Sequence, residues 1–194
     1  MQDTVNDIER ALAVTGTLVA SIGADQWAAP TACDGWDVRT VVNHVVGGMR
    51  LYAAELTDTE AGGEHEDDWL GDDPVGAYRD AAAQVLAGWR SPGAEERVID
   101  LSFGAVPAPM AAVVQLTEII VHGLDVAVAT GQEDEVDQAQ AERLLAVMTD
   151  MGIDGFRAPG IFGPELSARA DAPAHRRLLA FLGRIEAAPV PSAG

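Results

Sequence analysis

The chain has 194 residues, enough to bury a full hydrophobic core in one domain, so neither a metal nor a disulfide is needed merely to fold. Its formal charge of −19, from 31 acidic and 12 basic residues, repels phosphate backbones and anionic lipid heads, which argues against nucleic-acid and membrane-surface roles. A single cysteine, Cys33, excludes an internal disulfide, and Met1-Gln2-Asp3 lacks the basic and apolar regions of a signal peptide, so a cytoplasmic protein is expected.

Residues 3–22 carry Val5, Ile8, Ala11, Leu12, Leu18, Val19 and Ile22 at helical spacing, and Gly23 closes the segment. A turn-rich connection with Pro30 and Asp34-Gly35 follows. The second helix starts near Asp34 or Asp37, either of which can accept hydrogen bonds from the free N–H groups at a helix start. Its buried stripe is Val38, Val41, Val42, Val45, Met49, Tyr52 and Leu56. Residues 57–73 form an acidic loop without apolar periodicity. A third helix runs from Pro74 to Arg90, with Pro74 suited to the first turn, and Ser91-Pro92-Gly93 ends it.

Val98 to Phe103 alternates weakly, as a short strand or extended crossover. Pro109 to Ala129 is helical and stops at Gly131; another helix covers residues 136–151. From Gly152 the chain is mostly loop, with Pro159, Gly160, Gly163 and Pro164, before a short helix over Ala174–Gly183. The nearly uncharged run from Val98 to Leu124 is broken by Asp100, Gly104, Pro107, Pro109 and Glu118, so no membrane span is expected. Four helices with one long crossover predict an all-α four-helix bundle over residues 1–131, with residues 132–194 as a helical extension packed on it.

The helix of Pro109–Ala129 is apolar on most faces, yet Gln115, Glu118, His122 and Asp125 interrupt it at steps of three, four and three residues, along one face. A buried carboxylate needs a partner. Glu118 and His122, one turn apart, can converge on a metal ion; a solvent-facing stripe or an internal Glu–His hydrogen bond would also account for them. On the second helix His44 lies among Val41, Val42, Val45 and Val46, followed by Gly47-Gly48. Two helical glycines cost roughly 1 kcal/mol each relative to alanine, which points to close packing or room for a ligand. Two histidines and one glutamate from facing helices form a catalytic zinc arrangement with an open position. His65, in the acidic loop, is expected to be solvated. His175 is expected to cap a helix or face solvent; Cys33 could be a ligand, but a small core or loop thiol is the leading expectation.

Cys33-Asp34-Gly35-Trp36-Asp37-Val38-Arg39, leading to His44, resembles the second-helix signature of the mycothiol-dependent maleylpyruvate isomerase family, in the DinB-like superfamily. Thr117 to Ala127 resembles its second signature, E-x-x-x-H-x-x-D. Phe162-Gly163-Pro164 and the run from Arg177 to Arg184 resemble a short actinobacterial subfamily of metal-binding proteins. The resemblance implies a DinB-like bundle holding a divalent metal, usually zinc, with His44, Glu118 and His122 as ligands and Asp125 supporting them from behind. It also implies a low-molecular-weight thiol of the mycothiol type as cosubstrate, deprotonated at the metal. The isomerases carry a substantial C-terminal domain where this chain has a short tail, so specificity for maleylpyruvate does not carry over.

The expected activity is therefore that of a metal-dependent thiol S-transferase or isomerase acting on an electrophilic small molecule. Arg39, Arg157 and Arg169 are candidates to pair with a substrate carboxylate. The alternatives are an enzyme using the metal as a Lewis acid without thiol, a non-catalytic metal- or small-molecule-binding protein, and a helical interaction protein whose polar stripe is hydrogen-bonded. Nickel, iron or manganese would suit the same donors, and pairing into a homodimer is left open.

Overall fold

A computed structural model describes residues 1–101, 104–158 and 161–184 of the chain. Helices α1 (Gln2–Ala20), α2 (Val38–Thr57), α3 (Pro74–Trp89) and α4 (Ala108–Thr130) form the expected four-helix bundle, in which α1 and α2 each pack against both α3 and α4. Two shorter helices follow, α5 (Gln138–Met151) and α6 (Ala174–Phe181).

Each helix end has a local cause. Asp37, rather than Asp34, starts α2, its carboxylate accepting from the Thr40 backbone N–H at 2.8 Å. Asp73 does the same for α3 through the Gly76 N–H at 2.9 Å, with Pro74 in the first turn. Along α1 the buried residues Val5, Ile8, Ala11, Leu12, Thr15, Leu18 and Val19 keep the helical period seen in the sequence. Buried phenols bind carbonyls of neighbouring helices: Tyr78 donates to Leu12 O at 3.1 Å and Tyr52 to Ala111 O at 3.2 Å. Burying a group the size of Ile8 or Ile99, both fully enclosed, contributes about 1.5–3 kcal/mol each.

The weakly alternating segment contains strand β1 (Val98–Leu101), which pairs antiparallel with β2 (Gly104–Pro107), beyond that segment, to form a hairpin within the crossover from α3 to α4. Ser102 and Phe103 of that segment lie outside the described residues, as do Pro159 and Gly160 of the later loop. Arg97 fastens the hairpin to the end of α2 through both oxygens of Asp58, at 2.9 and 2.6 Å.

α4 is buried on nearly every side, including Gln115, Thr117, His122, Asp125 and Thr130. It is the one helix among the described residues long and apolar enough to cross a membrane, and 72% of its most apolar window lies inside the protein, as in a core helix. α5 is tied to α1 by Gln140, which donates to Asp7 O at 2.7 Å, and by the Arg143–Asp7 pair at 2.7 Å. α6 packs on α5 and reaches α4.

Candidate metal centre

Adjacent faces of α2 and α4 bring together His44, Glu118 and His122, whose donor atoms all lie within 4.8 Å of one another. The i, i+4 spacing stacks Glu118 and His122 on one face of α4, and α2 sets His44 opposite. One carboxylate oxygen, Glu118 Oε2, stands 3.2 Å from His44 Nε2 and 3.2 Å from His122 Nε2. Side-chain exposure grades from 7% at His122 through 25% at His44 to 45% at Glu118, so the cluster opens to solvent on the Glu118 side.

Behind His122, Asp125 is fully enclosed and its Oδ2 lies 3.0 Å from His122 Nδ1. A carboxylate there accepts the Nδ1–H and leaves Nε2 free to face Glu118 and His44, which is how a metal-ligating imidazole is held. Gln115, the first polar residue of the stripe, departs from the cluster: its side-chain oxygen accepts from the Trp89 indole N–H.

The electrostatics fit a cation. Burial, the largest influence, pushes His44 below its ordinary value despite its hydrogen bond to Glu118. Burial also opposes protonation of His122, but Asp125, Cys33 and Glu118 outweigh it and hold His122 well above the usual histidine range. Glu118 is held far below the usual carboxylate range; burial works against its charge, and the hydrogen bonds and charges of His122 and His44 prevail. Two carboxylates thus flank one imidazole, and on the Glu118 side a metal ion would satisfy the negative charge with more donors than a proton does. Two Nε2 atoms, one carboxylate and an open side are the donor chemistry of catalytic zinc.

Three side chains of the centre escape the sequence pattern. The Trp36 ring lies 4.8 Å from that of His44 and 6.1 Å from that of His122. The His65 ring lies 4.4 Å from His44, with Nε2 3.3 Å from the His44 carbonyl, so His65 is part of the wall and not a solvated loop residue. The Gly47-Gly48 pair was its sequence signal: a Cβ on Gly47 would stand 2.8 Å from the Trp69 ring and 2.9 Å from the His65 carbonyl, so only glycine lets the acidic loop lie against α2. Cys33, expected as a plain core or loop thiol, sits 3.2 Å from Asp125 Oδ2 and 3.8 Å from His122 Nδ1.

The arginines expected at a substrate carboxylate are engaged elsewhere. Arg39 binds Asp68 and the Gly71 carbonyl, each at 3.1 Å. Arg157 binds the Gly163 and Phe181 carbonyls at 2.7 and 3.0 Å, and Arg169 binds Asp171 at 2.8 Å. Arg184 instead reaches Asp125, at 2.7 Å. His175 is buried rather than solvent-facing; its ring takes Gln138 at 2.7 Å and Glu133 at 2.8 Å.

The family model described as the mycothiol maleylpyruvate isomerase N-terminal domain matches residues 8–127. Two uncharacterized proteins, from two strains of Mycobacterium tuberculosis, are each 33% identical over 178 residues, covering 91% of this chain and 94% of their own length. A further uncharacterized protein of Mycobacterium tuberculosis is 33% identical over 132 residues, covering 59% of this chain and 51% of its own. No solved structure matches the chain.

Proposed function

The chain belongs to the mycothiol maleylpyruvate isomerase N-terminal domain family, and on that premise we propose that it is a metal-dependent enzyme handling a low-molecular-weight thiol of the mycothiol type. One divalent ion, zinc foremost, binds His44, Glu118 and His122, and the thiol is transferred to an electrophilic small molecule or drives its isomerisation. The observation that carries this reading is the convergence of the three donor side chains within 4.8 Å, with Asp125 enclosed behind His122.

When bound there, the ion supplies Lewis acidity that favours thiolate over thiol near neutral pH. The protein's own residues do the rest. Asp125 holds His122 in the tautomer that offers Nε2, and the Trp36 and His65 rings flank His44 and restrict water around it. The Glu118 side, the most exposed, is the way in for thiol and electrophile. In this reading residues 1–131 are the metal-binding bundle, and the described part of residues 132–194 is an extension packed on it; residues 185–194 lie outside the described residues.

Elemental analysis of protein purified without a histidine tag tests the site, alongside His44→Ala and His122→Ala. Near-stoichiometric metal in the parent and little in both variants is expected. A thiol conjugate formed from an electrophile panel by the parent and not by His44→Ala would support the chemistry. A fully loaded protein with no thiol-dependent turnover across the panel would refute the transferase reading and leave a metal-binding one.

A further inference from the structure

The two C-terminal motifs, Phe162-Gly163-Pro164 and Phe181-Leu182-Gly183-Arg184, meet in the fold. The Gly163 N–H donates to Leu182 O at 3.0 Å and the Leu166 N–H to Ala180 O at 2.9 Å. Arg157 clasps both strands of this junction through the Gly163 and Phe181 carbonyls. Gly183 has φ +69, and a Cβ on it would collide with the backbone of Gly163 and Pro164. The chain therefore turns sharply after α6, and the Arg184 side chain, only 13% exposed, is driven inward. Its Nη1 lies 2.7 Å from Asp125 Oδ2 and 2.6 Å from Cys33 Sγ.

Cys33, His122 and Asp125 are themselves a donor set, with a thiol sulfur, an imidazole Nδ1 and a carboxylate oxygen within 4.8 Å of one another. Asp125 Oδ1 is buried and has no hydrogen-bond partner among the described residues, so the carboxylate has capacity to spare. A thiolate, an imidazole and a carboxylate suit zinc and cobalt, and sulfur is the softer and preferred ligand. The set shares His122 with the cluster described above, through the opposite ring nitrogen. What occupies it is the guanidinium of Arg184.

We propose that Arg184 is a built-in cation, delivered by the C-terminal segment, that fills the Cys33–His122–Asp125 donor set and keeps a metal ion on the Nε2 side of His122. The proposal rests on His44, Glu118 and His122 being the metal donors. Guanidinium charge repels a divalent ion a few ångströms away and neutralises Asp125, so that the carboxylate holds the imidazole without competing for the metal. With the guanidinium donating to it, the Cys33 sulfur lies beside the centre and outside the coordination shell. Without the guanidinium, the Cys33 sulfur, Asp125 and His122 Nδ1 are open to a metal ion, which displaces the thiol and Nδ1 protons to solvent as it binds. Arg184 is thus a positioning residue that decides which donors the ion sees.

The test uses metal-stripped full-length protein loaded with cobalt(II), reading cobalt per chain and the near-ultraviolet sulfur-to-cobalt charge-transfer absorption. The parent and Arg184→Lys are expected to bind one cobalt without that absorption. Arg184→Ala and Arg184→Met, which keeps an apolar stem, are expected to gain it, with cobalt per chain rising from one towards two. Adding Cys33→Ser to either variant should abolish the absorption. Charge-transfer absorption in the parent overturns the proposal, as do parent-like spectra and stoichiometry in both variants. Loss of helical circular dichroism in both variants would make the Arg184–Asp125 pair a structural brace and also overturns it. A parent that binds no cobalt overturns the metal reading itself, and the proposal with it.

Discussion

His122 and Asp125 are three residues apart on α4, and the Asp125 carboxylate oxygen lies 3.0 Å from His122 Nδ1 with neither side chain appreciably exposed. That pair fixes the imidazole so that its other nitrogen stands 3.2 Å from Glu118. A carboxylate behind a ligating histidine raises the ligand's basicity and locks its ring. Asp125→Asn should therefore weaken metal binding about 10- to 100-fold, measured by competition with a chelator. An unchanged affinity would mean that the pair only supports the fold.

Gly47 and Gly48 are neighbours on α2 with opposite expectations. Replacing a helical glycine by alanine gains up to about 1 kcal/mol of helix propensity. At Gly47 the new Cβ would meet the Trp69 ring at 2.8 Å and the His65 carbonyl at 2.9 Å, and overpacking of that kind costs about 1–3 kcal/mol. At Gly48 the nearest atom is His65 Nε2 at 3.6 Å, an ordinary contact. Gly47→Ala should lower the urea midpoint and Gly48→Ala should raise it or leave it unchanged. A rise for Gly47→Ala would show that the acidic loop does not lie on α2 in solution.

The Trp89 indole N–H is the donor to the side-chain oxygen of Gln115, which is 2% exposed. Trp89→Phe keeps an aromatic ring in place but strands that oxygen in the core, at a cost of about 1–3 kcal/mol for the unsatisfied group. Chemical denaturation of Trp89→Phe and of Trp89→Phe/Gln115→Leu separates the causes. The double variant should recover part of the loss; no recovery would assign it to packing alone.

Glu133 binds His175 at 2.8 Å and Arg176 at 2.6 Å, joining the turn after α4 to α6. Burial acts to raise the carboxyl pKa, but the hydrogen bonds and charges of His175 and Arg176 bring it below its ordinary 4.5. A carboxylate depressed in the folded state adds stability that is complete above its unfolded value and is lost as pH falls through the folded one. Melting temperature should therefore fall as the solution is acidified below about pH 4.5, more steeply for the parent than for Glu133→Gln. Parallel melting curves for the two proteins would remove Glu133 from the account.

The helices, and the shared face of Glu118, His122 and Asp125, are legible in the sequence because both are periodic. Val5, Ile8, Leu12 and Val19 repeat the helical spacing on α1, and Glu118, His122 and Asp125 keep steps of four and three on α4. His44 could be paired with them because a histidine among valines, beside two glycines, breaks an otherwise apolar stripe. His65 is the exception, because its acidic neighbours Glu64, Glu66, Asp67 and Asp68 resemble a solvated segment. What brings it inward is the lack of a side chain at Gly47, a consequence visible only once the loop is folded over the helix.

By itself, then, the sequence determined an all-helical bundle and a Glu118–His122–Asp125 face on α4, since the i, i+3 and i, i+4 geometry of a helix sets local neighbours wherever the helix ends up. Tertiary structure alone decided what surrounds that face. Cys33 and Arg184 meet across 151 residues, Arg184 and Asp125 across 59, and His44 and His65 across a loop. Such contacts leave no period in the chain. They follow from the turn at Gly183 and from the packing of whole elements, which exclude water and leave buried charges only one another as partners.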